Sequence, residues 1–172
     1  MEFKMNNTEN NYAFIDGNNL YLGAKNQGIQ LNYIKLRRYL RDKMNVSQAF
    51  LFIGFDPANT DFYRLLQKIG YILIYKPTIV YRNTDGTRTM KGNVDAELVL
   101  YSSAVEFENY DKAVIVSSDG DFACLVDFLD KKGKLKKIIT PTENYSSLLK
   151  RFHSYILPLN SIRNKVGKFK SK

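Results

Sequence analysis

Short apolar runs alternate with stretches of helical period along most of this chain. The runs at 12–16, 48–55, 71–76, 112–117 and 136–140, with a weaker one at 154–157, are short and rich in β-branched and aromatic residues, which predicts strands. Between the second and third, Phe62, Leu65, Leu66 and Ile69 fall at i, i+3, i+4 and i+7, one face of a helix. Phe122, Leu125, Val126 and Leu129 repeat that spacing after the fourth run. Val94, Leu98, Tyr101 and Val105 form a similar stripe before it, and Tyr33, Leu36, Leu40 and Met44 a looser one before the second. Gly70 and Gly133 mark helix ends. The alternation predicts βαβ units around a mostly parallel sheet, an α/β fold.

One segment breaks the alternation. Residues 79–82 and 87–91 are β-prone and joined by Asn83, Thr84, Asp85 and Gly86, which predicts a hairpin. It carries Arg82, Arg88 and Lys91 just ahead of the helix that starts near Asn93. These are candidate grips for a charged substrate; a plain surface hairpin satisfies the pattern equally well.

With 172 residues, 44% hydrophobic and 25% charged, the chain has the size and composition of one globular domain. No apolar run approaches the roughly 20 residues of a bilayer span. Residues 1–11 are polar, without the apolar stretch of a signal peptide, so a cytoplasmic protein with no membrane partner is expected. The expected organisation is a disordered 1–11, a domain at 12–159 and a basic flexible tail at 160–172. One cysteine, Cys124, excludes an internal disulfide framework, and with one histidine, His153, it leaves no basis for a soft-metal cage. Cys124 stands among Phe122, Leu125 and Val126 and reads as a small buried residue, His153 as a surface or strand-end residue.

The formal charge of +9 is uneven: residues 131–172 hold twelve Lys and Arg against the single Glu143, while residues 1–130 are about −2. This asymmetry points to a polyanion, nucleic acid or an acidic membrane surface, with a solubilising tail as the plain alternative. Lys131, Lys132, Lys134, Lys136 and Lys137 surround the turn before the fifth strand and are expected to hold backbone phosphates. Tyr21, Tyr81 and Tyr145 are either stacking platforms for unpaired bases or half-buried packing residues.

Acids occur where a parallel sheet places its ligands, at the carboxyl ends of strands and the starts of following helices. Asp16 ends the first strand, Asp119 and Asp121 follow the fourth, and Asp95 opens a helix. Each has an innocent explanation as a helix cap or turn residue. Capping does not explain why three separate segments would bring acids to one sheet edge. Gathered carboxylates repel one another, so such a cluster implies a cation, and oxygen-only ligands imply Mg2+ or Mn2+. Glu97 lies about 200° around the helix from Asp95, on another face.

Three segments together resemble the NYN domain, a branch of the PIN-like metal-dependent ribonucleases: Phe14-Ile15-Asp16-Gly17-Asn18-Asn19-Leu20, Lys91-Gly92-Asn93-Val94-Asp95, and Val116-Ser117-Ser118-Asp119-Gly120-Asp121-Phe122. The resemblance covers about 12–157. It implies a single Rossmann-like, PIN-like three-layer domain with strand order 3-2-1-4-5, in which the first and fourth strands are neighbours. It implies Asp16, Asp95, Asp119 and Asp121 as metal-binding and catalytic acids, with Asn19 and Ser117 supporting them. Asp16 and Asp119 would hold one divalent ion, with Asp95 and Asp121 near a second. Many relatives have a further acid where this chain has Tyr101. The implied activity is hydrolysis of RNA, single-stranded by preference; the alternative is a catalytically weak or inactive RNA- or protein-binding module of the same fold. A phosphate-switched response-regulator-like domain lacks its early acidic pair here. The sequence leaves the oligomeric state open, and a homodimer is compatible with it.

Overall fold

The computed structural model describes residues 8–77, 79–91 and 93–168, and at 88–91 it describes the backbone. Among the described residues, six strands pair in parallel: β1 (Asn11–Asp16), β2 (Val46–Phe55), β3 (Tyr71–Pro77), β6 (Ala113–Val116), β7 (Leu135–Thr140) and β8 (Ile156–Pro158). Their order is β3-β2-β1-β6-β7-β8. With the hairpin strands left out of the numbering this is the expected 3-2-1-4-5 arrangement, extended at its edge by β8. The hairpin itself, β4 (Ile79–Arg82) with β5 (Arg88–Lys91), stands as a separate antiparallel ribbon.

Central strands of a parallel sheet are covered on both faces, so they read as continuous apolar runs. All of β1 and β6 is buried. Side-chain alternation then splits the core in two. Ala13, Ile15, Ala49, Leu51, Val114 and Val116 face one layer, made by helices α1 (Gly17–Asn26), α2 (Tyr33–Met44), α3 (Thr60–Ile69) and α6 (Arg163–Val166). Tyr12, Phe14, Phe50, Phe52 and Ile115 face the other, made by α4 (Asp95–Leu100), α5 (Ala123–Lys131) and the 3-10 segment Ser147–Tyr155. Phe14 and Phe50 stack at 5.5 Å between centroids, which makes this second layer aromatic where the first is aliphatic.

The helical stripe on α5 is buried as expected, whereas that on α3 is not. Tyr63 and Leu66 carry the α3 packing, while Phe62 and Leu65 are 41% and 50% exposed. Helical period identifies an apolar face but does not supply a layer to cover it. Val105 is likewise exposed, at the end of the π-type turn Tyr101–Val105 that continues α4.

Two expected boundaries move. The disordered start does not extend to residue 11: Asn11 is fully buried in β1, donating to the Met44 carbonyl at 2.8 Å and accepting from the Lys112 N–H at 3.1 Å. Glu9 pairs with Lys112 at 3.0 Å and Lys136 at 2.5 Å. At the other end, residues 160–168 are not a free tail. Ile162 and Val166 are buried in the aliphatic layer, and the Asn32 N–H donates to the Val166 carbonyl at 2.8 Å. Apolar residues at i and i+4 in an otherwise basic segment are what dock it. Residues 1–7 and 169–172 lie outside the described residues. Among the described residues no helix is long and apolar enough to cross a membrane.

Candidate metal centre and cleft

The first strand turns into α1 at Asp16-Gly17. A Cβ on Gly17 would stand 2.8 Å from the Phe52 carbonyl oxygen, so glycine lets α1 start directly against β2. Asp16 is thereby held at the helix cap, its Oδ1 accepting from the Asn19 N–H at 3.1 Å. Asn19 also reaches sideways, its Oδ1 accepting from the Ser118 N–H at 2.9 Å. One residue therefore ties the end of β1 to the loop after β6. Ser117 completes the tie: its Oγ accepts from the Asp119 N–H at 3.1 Å and lies 3.5 Å from Asp16 Oδ2. Asp119 in turn caps the next turn, accepting from the Asp121 N–H at 3.0 Å. Capping and clustering are properties of the same residues.

The carboxylates converge, though unequally. Oxygens of Asp95, Asp119 and Asp121 lie within 4.8 Å of one another, the separation expected of groups able to share one cation. Asp16 stands outside that triad, buried, in the same cleft as Asp95 and Asp119. Burial first, then repulsion from Asp95 and Asp119, pushes the Asp16 carboxyl up to about 6 against the hydrogen bond from Asn19. Burial also raises Asp95, with Asp119 and Asp121 adding to the shift. Asp121 is the exposed member of the group. This all-oxygen, mutually repelling donor set fits a hard divalent cation.

The cleft has a volume of about 520 Å³ and its floor is formed by β1 and β2 ends. Asn18, Asn26, Asn93 and Thr142 line it, a neutral set of donors and acceptors around the acids. Tyr101 does not substitute for an acid here: its ring packs 5.6 Å from Phe52 and 6.1 Å from Phe50 in the aromatic layer. Glu97 is not a member of the triad and pairs with Lys76 at 3.2 Å.

The lysines singled out at 131–137 are not at the cleft. β7 runs away from Lys131–Lys136 toward Thr140, and a strand of six residues puts those lysines on the order of 15 Å from the acids, at the opposite end of the sheet. Local partners occupy them. Lys131 pairs with Asp127 at 2.6 Å, and Lys134 donates to the Phe107 and Tyr110 carbonyls at 2.5 and 2.7 Å. Lys136 is taken by Glu9, Lys137 Nζ lies 3.4 Å from the Ser154 carbonyl, and Lys132 sits 5.8 Å above the Phe128 ring. Arg82 is exposed on the hairpin. The side chains of Arg88 and Lys91, and Gly92 of the second motif, fall outside the described residues. Cys124 is exposed rather than buried, because it faces off α5 on the side away from Leu125 and Val126.

The NYN domain family model matches residues 12–160, so the chain belongs to the NYN domain family. It is similar to the low amplitude and bright protein LabA of Synechococcus elongatus (strain ATCC 33912 / PCC 7942 / FACHB-805), 26% identical over 161 residues that cover 90% of this chain and 86% of that protein. Its fold is shared by the crystal structure of a protein of unknown function, VPA0982, from Vibrio parahaemolyticus RIMD 2210633, with a TM-score of 0.71 at 20% identity over 91% of this chain and 96% of that one.

Proposed function

We propose that this protein is a divalent-metal-dependent ribonuclease, with Asp95, Asp119 and Asp121 holding Mg2+ or Mn2+ and Asp16 beneath them. The observation that carries the reading is the approach of three carboxylates to within 4.8 Å from two separate segments, over a fourth that is buried. Repulsion of this kind is tolerated in a fold when a cation offsets it in the working state.

When bound, the ion supplies positive charge that makes water a better nucleophile and neutralises the phosphate. The chain's own residues orient everything else. Asn19 and Ser117 fix the Asp16 carboxyl and the loop bearing Asp119, so both acids keep their positions as charge redistributes. Asn18, Asn26, Asn93 and Thr142 offer neutral hydrogen bonds to phosphate oxygens and ribose hydroxyls, which positions the strand without adding charge beside the acids. No side-chain nucleophile is needed, in keeping with the exposed position of His153.

Tyr101 standing in the aromatic layer, where relatives often have an acid, favours a second reading, an RNA-binding module of low turnover. Incubation of purified protein with labelled single-stranded RNA in Mn2+, Mg2+ or EDTA separates the two. Cleavage with either ion and none in EDTA is expected; binding without cleavage in any condition would leave the module.

A further inference from the structure

We propose that single-stranded RNA is held on the α1–α2–α3 face, its bases against Tyr21 and Phe62 and its phosphates on the α2 arginines, and that it enters the acidic cleft past Asn18. The proposal rests on the ribonuclease reading for the destination of the strand, but on separate residues for its binding.

A groove of about 650 Å³ opens between α1, α2 and α3, with Tyr21, Ile34, Phe62 and Leu65 in its walls. These four are 53%, 50%, 41% and 50% exposed, an apolar surface left uncovered among the described residues. Two of the four are aromatic, and Phe62 is braced edge-on by Tyr33 at 5.4 Å, which presents its ring as a platform. A cavity of about 430 Å³ shares Tyr21, Tyr33 and Phe62 with this groove and Asn18 and Gly54 with the acidic cleft. The three hollows thus form one run around the start of α1.

Charge decides the occupant. Lys25 and Lys168 stand at the groove. A shallow extension shares Ile34 and Ile69 with it and is lined by Arg37, Arg38, Arg41 and Lys68, of which Arg37 is held by the Gly70, Val46 and Ser47 carbonyls and Arg41 pairs with its exposed neighbour Asp42 at 2.7 Å. On the other flank, the docked C-terminal segment adds Arg163 and Lys168. A symmetric dimer across this face would set these cations against their own copies. A strand with flat apolar bases and a phosphate at every step matches both components, rings for the bases and cations for the backbone.

The test is fluorescence anisotropy with a labelled single-stranded RNA 15-mer in EDTA, where cleavage is off, using the full chain. Tyr21→Ala and Phe62→Ala should each weaken binding by about 5- to 100-fold, and Tyr21→Phe should restore it. The double variant Arg38→Glu with Arg41→Glu should flatten the slope of log affinity against log salt, while Lys131→Glu with Lys132→Glu should leave affinity unchanged. The proposal is overturned if wild type does not bind, if the groove variants bind as wild type does, or if the Lys131 and Lys132 variant is the one that loses affinity. It is also overturned if Tyr21→Ala and Phe62→Ala convert a dimer to a monomer in light scattering without changing RNA affinity, which would give the groove to a second copy. Groove-dependent binding by a wild type that cleaves nothing in Mn2+ would remove the ribonuclease reading and leave this one standing. Metal-dependent cleavage with unaltered groove variants would do the reverse.

Discussion

The side-chain Oδ1 of Asn19 accepts the backbone N–H of Ser118 at 2.9 Å, joining the turn after β1 to the turn after β6. The same residue's own N–H donates to the capping Oδ1 of Asp16 at 3.1 Å. Asn19 therefore fixes Asp16 relative to the loop that carries Asp119. Replacing it with Ala keeps the backbone cap and removes the tie. Stability should fall by about 1 kcal/mol for the lost hydrogen bond. Divalent-ion affinity should fall further, by roughly 10- to 100-fold as for groups that orient metal ligands. Isothermal titration with Mn2+ beside a thermal melt in EDTA reads the two effects apart.

Asp16 gives a pH signature. A buried carboxyl held near 6 rather than its ordinary 3.8 binds its proton more tightly in the folded state. The ion-free fold therefore carries no penalty below about pH 4. The penalty grows as pH rises through 6 and is full above it, at roughly 3 kcal/mol. Asp16→Asn retains the acceptor for Asn19 and loses the charge. In EDTA it should be more stable than wild type by up to about 3 kcal/mol at pH 7.5, and indistinguishable from it at pH 4. Denaturant unfolding at the two values checks this; an equal gain at both would assign the effect to packing.

Asp119 both caps and repels, so two substitutions divide its roles. Asp119→Asn preserves the acceptor for the Asp121 N–H and should leave the melting temperature in EDTA unchanged or higher. Asp119→Ala also loses the cap, worth about 1 kcal/mol, and should melt below Asp119→Asn. Mn2+ should raise the melting temperature of wild type, because it binds the folded state alone, and do so far less for either variant.

Two truncations test the docked C-terminus. Ending the chain after Leu159 removes Ile162 and Val166 from the aliphatic layer and should cost several kcal/mol, seen as an earlier urea midpoint. Ending it after Lys168 leaves both in place and should not move the midpoint.

Much of this was legible along the chain, for reasons that also mark where legibility stops. β1 and β6 are buried on both faces and announce themselves as unbroken apolar runs, and the acids after them occupy strand ends where parallel sheets place ligands. The basic face was not legible. Arg37, Arg38 and Arg41 lie in a locally basic stretch, Lys35 to Lys43 with Asp42 as its one acid, that the small net charge of residues 1–130 hides, and they join Arg163 and Lys168 on one face through the docking of Val166, which no local period reports. Conversely, the lysines at 131–137 look like a phosphate grip in one dimension. In three they face Asp127, Glu9 and the Phe107 and Tyr110 carbonyls at the far end of the sheet. The α3 stripe is apolar as its spacing predicts, but the exposure of Phe62 and Leu65 depends on what packs over them and not on that spacing.

The most direct measurement is a Mn2+ titration of wild type and Asp119→Asn, following cleavage of labelled single-stranded RNA and melting temperature in the same samples. The account predicts that in wild type both rise with one midpoint and both collapse with EDTA, and that in Asp119→Asn, folded by circular dichroism, neither rises. Cleavage that persists in Asp119→Asn, or a wild type that binds Mn2+ and cleaves no RNA, would contradict it.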